Sequence, residues 1–326
     1  MRLARRTFLQ WAAGTVALLP MSRIVTAQAY PTRPITLVVP FAAGGAVDTA
    51  ARIIAEKVQD KLQQSVVVEN RPGAGSMIGT NFVAKAVPDG YTLLLIEPGA
   101  VLAKWLNKTV SFDVTSDFSP IAMIANSPLV LFAHPSVPFH NLNELIAYSK
   151  ANPHRLSVGT PGVGTPHHLA AAWLNTAAKI DITHVPYRAV PPALNDLLGG
   201  QIPLIWASPV AVMPFVEQRK VKIVAVSTQE RDPLLPQVPT VSESGVPGFD
   251  TANWFGVAAP ARVSSEVVAR VGQAIQEAAE LPDVQKRMSA LGFHIHFRNS
   301  DQFREIIAAE HQKYGTIIRK AGIQAD

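Results

Sequence analysis

The chain has 326 residues, 48% hydrophobic and 16% charged. That balance excludes a disordered polymer and, at this length, calls for two hydrophobic cores. The absence of cysteine excludes disulfides, a thiolate nucleophile and zinc–thiolate sites. The 29 basic and 24 acidic residues give a net charge of +5, but residues 1–29 hold four of the arginines and no acid. Without that segment 25 basic residues face 24 acidic ones, a net charge of +1, which excludes a nucleic-acid footprint.

The N-terminus reads as an export signal. Arg5 and Arg6 precede Phe8-Leu9 in a twin-arginine pattern, and the apolar run Trp11 to Leu19 is too short to span a bilayer. Ala27-Gln28-Ala29 is a small-x-small cleavage site, so the expected mature chain begins at Tyr30 and is periplasmic. An unprocessed amphipathic anchor is the alternative.

From there strand-like and helix-like segments alternate. "ITLVVPF" predicts a buried strand. The small, flexible loop Phe41-Ala42-Ala43-Gly44-Gly45-Ala46-Val47 follows, and Asp48 to Leu62 predicts a helix. "SVVVEN", "SMIGTNFVAKAV" and "YTLLLI" continue as strand, helix, strand. This βαβ order predicts an α/β fold with a mainly parallel sheet. Asn141 with Glu144 predicts a capping box, and Thr240 with Glu243 predicts another on a short helix stopped by Gly245. In the second half "RLSVGTPGVGTPHHLAAAWL" repeats strand, glycine loop, helix, with Gly162 and Gly164 in the loop and Thr165 at the N-cap. Apolar periodicity predicts a helix beginning near Ser264 and a last one through Phe303, Ile307, Tyr314 and Ile318. Two helix N-termini behind glycine loops, facing each other across a cleft, suit a ligand with negative charge.

Other chemistries fit less well. "FAAGGAVDT" lacks the Lys-Ser/Thr pair of a P-loop. Gly73, Gly75 and Gly79 approach a dinucleotide fingerprint with one residue too many, and a turn that lets helix 76–87 pack close to the sheet explains them better. There is no Gly-x-Ser-x-Gly elbow and no His-Glu-x-x-His. His167 and His168 are adjacent, so on a helix they point about 100° apart and make a poor ligand pair. His294 and His296 share a strand face without a third ligand. No metal or cofactor is expected. His168, one turn past Thr165, either approaches a ligand or bonds nearby backbone. Asp48, behind the first loop, reads as a brace that shapes the loop, because a carboxylate repels an anionic guest.

Five stretches in one order carry a resemblance. "YPTRPITLVVPFAAGGAVDTAARIIAEKV", "VVVENRPGAGSMIGTNFVAKAVPDGYTLLL", "HVPYRAVPPALNDLLGGQ", "VPTVSESGVPGF" and "WFGVAAPA" resemble the Bug family, the extracytoplasmic solute receptors of tripartite tricarboxylate transporters. The likeness covers the chain from Tyr30 onward. It implies a periplasmic binding protein of type II, two α/β domains joined by a hinge (a Venus flytrap), with domain 1 at residues 30–130 and 253–326 and domain 2 at 131–252. It also implies a monomer that is not an enzyme, and that hands a small carboxylate to two integral-membrane subunits. Family ligands are di- and tricarboxylates, acidic amino acids and aromatic acids.

On this resemblance the first loop, with Phe41, Ala43, Gly44, Gly45 and Asp48, holds one end of the carboxylate through backbone amides and water. Gly162, Gly164, Thr165 and His168 form the opposing side. The sequence departs from the family pattern at two places. Glu97 follows "YTLLL" where the family has small residues, and is expected either to turn to solvent or to accept a hydrogen bond from a donor on the ligand. "IPLIWASP" replaces a strand with acidic residues, and its Trp206 either reaches the cleft or belongs to the core. An exported hydrolase-like enzyme using His168, or a receptor for a membrane sensor, are the alternative functions.

Overall fold

The computed structural model describes residues 30–323, so the export signal expected at residues 1–29 lies outside the described part. The chain begins β1 (Ile35–Val39), α1 (Ala46–Leu62), β2 (Val66–Asn70), α2 (Met77–Ala84), β3 (Thr92–Ile96), α3 (Pro98–Leu106). Strand β1 pairs in parallel with β2 and with β3. Strands β1 and β3 are apolar on both sides because both faces of the sheet are covered there, whereas β2 lies at the edge and is only partly buried. Leu37, Val39, Leu93 and Leu95 enter one core, while Val38, Leu94 and Ile96 enter the other, following the period of two.

Next come β4 (Phe118–Pro128) and β5 (Val130–Ala133), separated by Leu129 alone, where the chain leaves the first sheet for the second. The second sheet is built with α4 (Leu142–Ala151), β6 (Leu156–Thr160), α5 (Pro166–Ala178), β7 (Ile182–Pro186), α6 (Val190–Leu198), β8 (Leu204–Ala207), α7 (Pro209–Glu217) and β9 (Lys222–Val226). The chain returns through β10 (Ala252–Pro260) and ends in α8 (Ser265–Ala279), α9 (Pro282–Ala290), β11 (His294–Arg298) and α10 (Ser300–Ala321). Strand order is β11-β4-β10-β3-β1-β2 in the first sheet and β7-β6-β8-β5-β9 in the second.

Each sheet is mixed, not mainly parallel. Only β2, β1, β3 and β7, β6, β8 are parallel sets; β10 is antiparallel to β3 and β4, and β5 to β8 and β9. Parallel pairing needs a crossover helix between strands. The strands that carry the chain between sheets, β4 running into β5 and β10 coming back, have none.

Helices α1, α8 and α9 cover one face of the first sheet, with α3 and α10 on the other. In the second sheet α4 and α5 lie on one face and α6 and α7 on the other. Trp206 is core: it is fully buried on β8 and stacks on Phe249, which stacks in turn on Trp173. Asn141 caps α4 by accepting the Glu144 N–H at 3.0 Å. The reciprocal Thr240–Glu243 bonds form as well, at 3.0 and 2.8 Å, but they close a turn rather than the expected short helix. Gly245, at φ +98°, ends the segment before a helical turn is complete.

Candidate ligand-binding site

Because β1, β2 and β3 are parallel, their C-terminal ends bring three loops together, the usual place for a ligand in an α/β sheet. The first loop, between β1 and α1, turns at Gly44, whose φ of +85° suits glycine. Gly45 is the N-cap of α1 at φ −76° and has no side chain to cap with. Residues 42–46 are exposed. Among the described residues, no acceptor in the chain takes the N–H groups of Gly45, Ala46 or Val47. An open helix start with free N–H groups and the positive end of the helix dipole suits an anion.

Asp48 braces this loop from beneath. It is 2% exposed and accepts the Gly44 N–H at 2.9 Å, Asn70 Nδ2 at 2.8 Å and Arg52 Nε at 3.1 Å. Asn70, at the end of β2, also donates to the Phe41 carbonyl at 3.0 Å. Burial works against the ionised carboxyl, but the bonds from Arg52, Gly44 and Asn70 outweigh it and hold the group below its ordinary value. Phe41 packs on the core beside α1, and Ala43 is exposed.

Glu97 takes neither of the two orientations expected for it. It is the N-cap of α3, accepting the Gly99 N–H at 2.7 Å and the Ser76 hydroxyl at 2.9 Å. Pro98 at the first helical position leaves the next free N–H, on Gly99, as the natural partner of a cap side chain. Burial pushes the Glu97 carboxyl up, with the bonds from Gly99 and Ser76 opposing. Ser76 precedes α2, so this pair joins the loops that follow β2 and β3. Close packing explains Gly79: a Cβ there would stand 2.8 Å from the Arg71 carbonyl and 2.9 Å from Pro40 Cβ, so α2 lies hard against the strand ends.

The second loop, between β6 and α5, is built differently. Gly162 and Gly164 have φ of +133° and +75°. Thr165 caps α5 by accepting the His168 N–H at 3.3 Å, and its hydroxyl donates to the Gly162 carbonyl at 2.9 Å. That hydroxyl proton is therefore committed within the loop. Gly164 donates its N–H to His168 Nδ1 at 3.1 Å. A Cβ on Gly164 would lie 2.4 Å from Leu106 Cδ1, so the end of α3 rests on this loop.

His168 thus bonds nearby backbone. Its ring stacks on His184 with centroids 3.8 Å apart, and His184 Nε2 lies 2.6 Å from Thr160 Oγ1. Burial, with repulsion from His184, lowers the His168 pKa to about 4. His167 is buried with neither ring nitrogen partnered, and burial lowers it to about 4 as well. His294 pairs with Asp232 at 3.1 Å rather than with His296. Among the described residues no three His, Asp or Glu side chains converge as metal ligands.

The two helix starts are therefore unequal: the first presents exposed amides, while the second spends its Gly164 N–H and Thr165 hydroxyl internally. Arg52, Asn70 and Ser76 escaped the reading of the sequence. Their only signal there is position: at a strand's last residue for Asn70, just before a helix for Ser76, and one helical turn past Asp48 for Arg52.

Comparison with known proteins follows the same geometry. Residues 50–323 match the model of the tripartite tricarboxylate transporter family receptor. The solved periplasmic binding protein BugD is 35% identical, with a TM-score of 0.75 over 91% of this chain and 100% of that one. A protein of R. palustris with adipate is 32% identical, with a TM-score of 0.77 over 90% of this chain and 99% of that one. MatC from Rhodopseudomonas palustris with bound malate is 32% identical, with a TM-score of 0.73 over 89% of this chain and 100% of that one. This chain has the two-sheet α/β architecture of a periplasmic binding protein. A family match spanning most of the sequence, and a shared fold at about a third of identical residues, place this protein in the tripartite tricarboxylate transporter receptor family.

Proposed function

We propose that this protein is a periplasmic receptor that captures a small carboxylate between two domains and delivers it to two integral-membrane subunits of a tripartite tricarboxylate transporter. The observation that carries the reading is the start of α1, where the N–H groups of Gly45, Ala46 and Val47 lack partners among the described residues and the carboxylate behind them, Asp48, is buried and saturated. One end of the ligand sits on this loop, against Ala43, Gly44 and Gly45, with Phe41 and Asp48 as its support. Gly162, Gly164, Thr165 and His168 shape the opposite wall. The relatives with adipate and malate support a ligand of that class.

The domains divide at residues 30–130 with 253–326 and at 131–252, a division supported by the change of sheet at Leu129 and by the return between Val226 and Ala252. The protein works as a monomer, exported behind residues 1–29, and it binds without turnover. Charge-assisted hydrogen bonds to helix amides, in a cleft that closes on the ligand, supply the affinity without an Arg or Lys contact.

A thermal-shift screen of the chain from Tyr30 onward against malate, adipate, citrate, aspartate and benzoate tests this, since a ligand bound only by the native state raises Tm. We expect a concentration-dependent rise with at least one of them and no product in the mixture. No rise with any, or consumption of the compound by catalytic amounts of protein, overturns the reading.

A further inference from the structure

A line of hydrogen bonds runs from α10 to both places where the chain changes sheet. Glu310, buried on α10, accepts Trp254 Nε1 at 2.7 Å and the Tyr314 hydroxyl at 3.3 Å. The Tyr314 hydroxyl lies 3.1 Å from Thr251 Oγ1. The Thr251 carbonyl accepts the Ser227 hydroxyl, and the Thr251 N–H donates to the Ser227 carbonyl at 3.1 Å. Ser227 Oγ accepts the Leu129 N–H at 3.0 Å, and the Ser227 N–H donates to the Leu129 carbonyl at 2.9 Å. Leu129 is the single residue between β4 and β5, while Ser227 and Thr251 bound the segment between β9 and β10. Both crossings are thereby tied to each other and, through two hydroxyls, to one buried carboxyl. The ligand site described above uses none of these groups.

We propose that Glu310 is a proton-responsive control on the hinge: its protonation state sets the direction of the hydrogen bonds through Tyr314 to Thr251, and with it the relative placement of the two sheets. The proposal rests on the reading that the two domains move about these crossings.

The chemistry follows from what each group can donate. An ionised Glu310 only accepts, so the Tyr314 hydroxyl must donate to it, and Thr251 then donates to Tyr314. A protonated Glu310 donates to Tyr314, which is freed to donate onward to Thr251. The charged and titratable groups facing Glu310 are Lys313 and Tyr314 on its own helix and Asp250 on the chain entering β10. From β10 the side chain that meets it is Trp254, which is not ionisable near neutrality. Burial raises the Glu310 pKa to about 7; Lys313 and the bonds from Trp254 and Tyr314 oppose the rise, and Asp250 adds to it. The neutral acid therefore prevails below pH 7 and the carboxylate above it. Enclosure favours the neutral acid, so low pH favours the enclosed placement of the two sheets, in which Gly164 rests on Leu106. Raising the pH favours a hinge movement that hydrates the carboxylate.

The chain has no cysteine, so two can be introduced cleanly, at the exposed Asp60 on α1 and Lys150 on α4, and labelled for energy transfer. Label separation is read from pH 5.5 to 8.5 without ligand. The otherwise native pair is expected to change separation with a midpoint near pH 7. Glu310→Gln is expected to hold the low-pH separation throughout. Tyr314→Phe, which keeps the carboxyl but removes the hydroxyl relay, is expected to lose the pH response and serves as the deciding variant should Glu310→Gln fail to fold. No change in the native pair, or an undiminished pH response in Glu310→Gln or Tyr314→Phe, overturns the proposal. Malate and adipate at constant pH form a separate arm. Closure on adding either one, without any pH response, removes the proton control and leaves the receptor reading intact. A pH response with no change on adding either one leaves the proton control standing and counts against the receptor reading.

Discussion

The Gly44 N–H donates to Asp48 Oδ2 across 2.9 Å, fastening the turn of the first glycine loop to the first turn of α1. The same carboxylate holds Arg52 and Asn70, so one buried acid gathers the ends of β1 and β2 around the start of the helix.

Asp48→Ala leaves those three donors without their acceptor. Removing a hydrogen-bonded charged group is expected to cost about 1.5–3 kcal/mol of stability and to weaken malate or adipate binding through a loosened loop. The native carboxyl sits below its ordinary value, so its contribution is full above the unfolded pKa and is lost as pH falls through the folded one. Urea unfolding of both proteins at pH 7 and pH 3 should therefore show the gap closing at the lower pH. A gap that stays constant means Asp48 acts through packing alone.

The two adjacent glycines should respond differently. Gly44 lies at φ +85°, and a side chain there is strained at any size, whereas Gly45 at φ −76° would place a Cβ no nearer than 3.8 Å to the Ala42 carbonyl. Gly44→Ala is expected to lose roughly 1–2 kcal/mol, the cost of a left-handed L-residue. Gly45→Val should leave stability within about 0.5 kcal/mol yet weaken a carboxylate ligand more than tenfold by covering the loop amides. Calorimetry showing native affinity in Gly45→Val would remove this loop from the site.

Glu97 should matter for folding and not for ligand choice. Its oxygens are engaged by Gly99 and Ser76, and glutamine can keep both contacts, accepting from Gly99 and donating to the Ser76 hydroxyl. Glu97→Ala is expected to cost about 0.5–2 kcal/mol, the range for a lost cap. Glu97→Gln should match the native protein at low pH and exceed it as pH rises, since a carboxyl pushed up by burial gives stability below its unfolded pKa that is lost above the folded one. The ratio of malate to aspartate affinity should be the same in all three proteins. A ratio altered by Glu97→Gln would return this residue to the ligand.

Acid should unfold the second half through its histidines. His167 and His168 are both lowered to about 4 from an ordinary 6.5. The unfolded chain therefore binds their protons first, and stability falls as pH drops from about 6.5 toward 4. At 1.36 kcal/mol per pKa unit each site accounts for roughly 3 kcal/mol over that window. His168→Gln can accept the Gly164 N–H without taking up a proton, so its unfolding free energy should fall less steeply between pH 7 and pH 4.5 than that of the native protein. Equal slopes would show that His168 titrates alike in the folded and unfolded chain.

Much of this was legible in the residues themselves. The apolar alternation of "ITLVVPF" and "YTLLLI", the cap at Asn141 and the helix start near Ser264 depend on neighbours within a few positions, and local sterics and hydrogen bonding decide them whatever the rest of the chain does. The free amides before α1 belong to the same class, because two consecutive glycines at a helix start offer no side chain to cap it. The mixed pairing of the sheets was beyond such reading. It is set by Leu129 and the 227–251 segment carrying the chain from one sheet to the other, and no local pattern records where a strand's partner lies. Glu97 and Trp206 show the same limit. By its chemistry Glu97 could turn to solvent or to a ligand, and Trp206 to the cleft or the core; only the arrival of Ser76 beside one and Phe249 against the other sent both to the interior. The line from Glu310 to Leu129 spans 181 positions of sequence yet only a few hydrogen bonds in space. A buried carboxyl acquires its properties from the groups that packing brings to it, and those are fixed by tertiary structure alone.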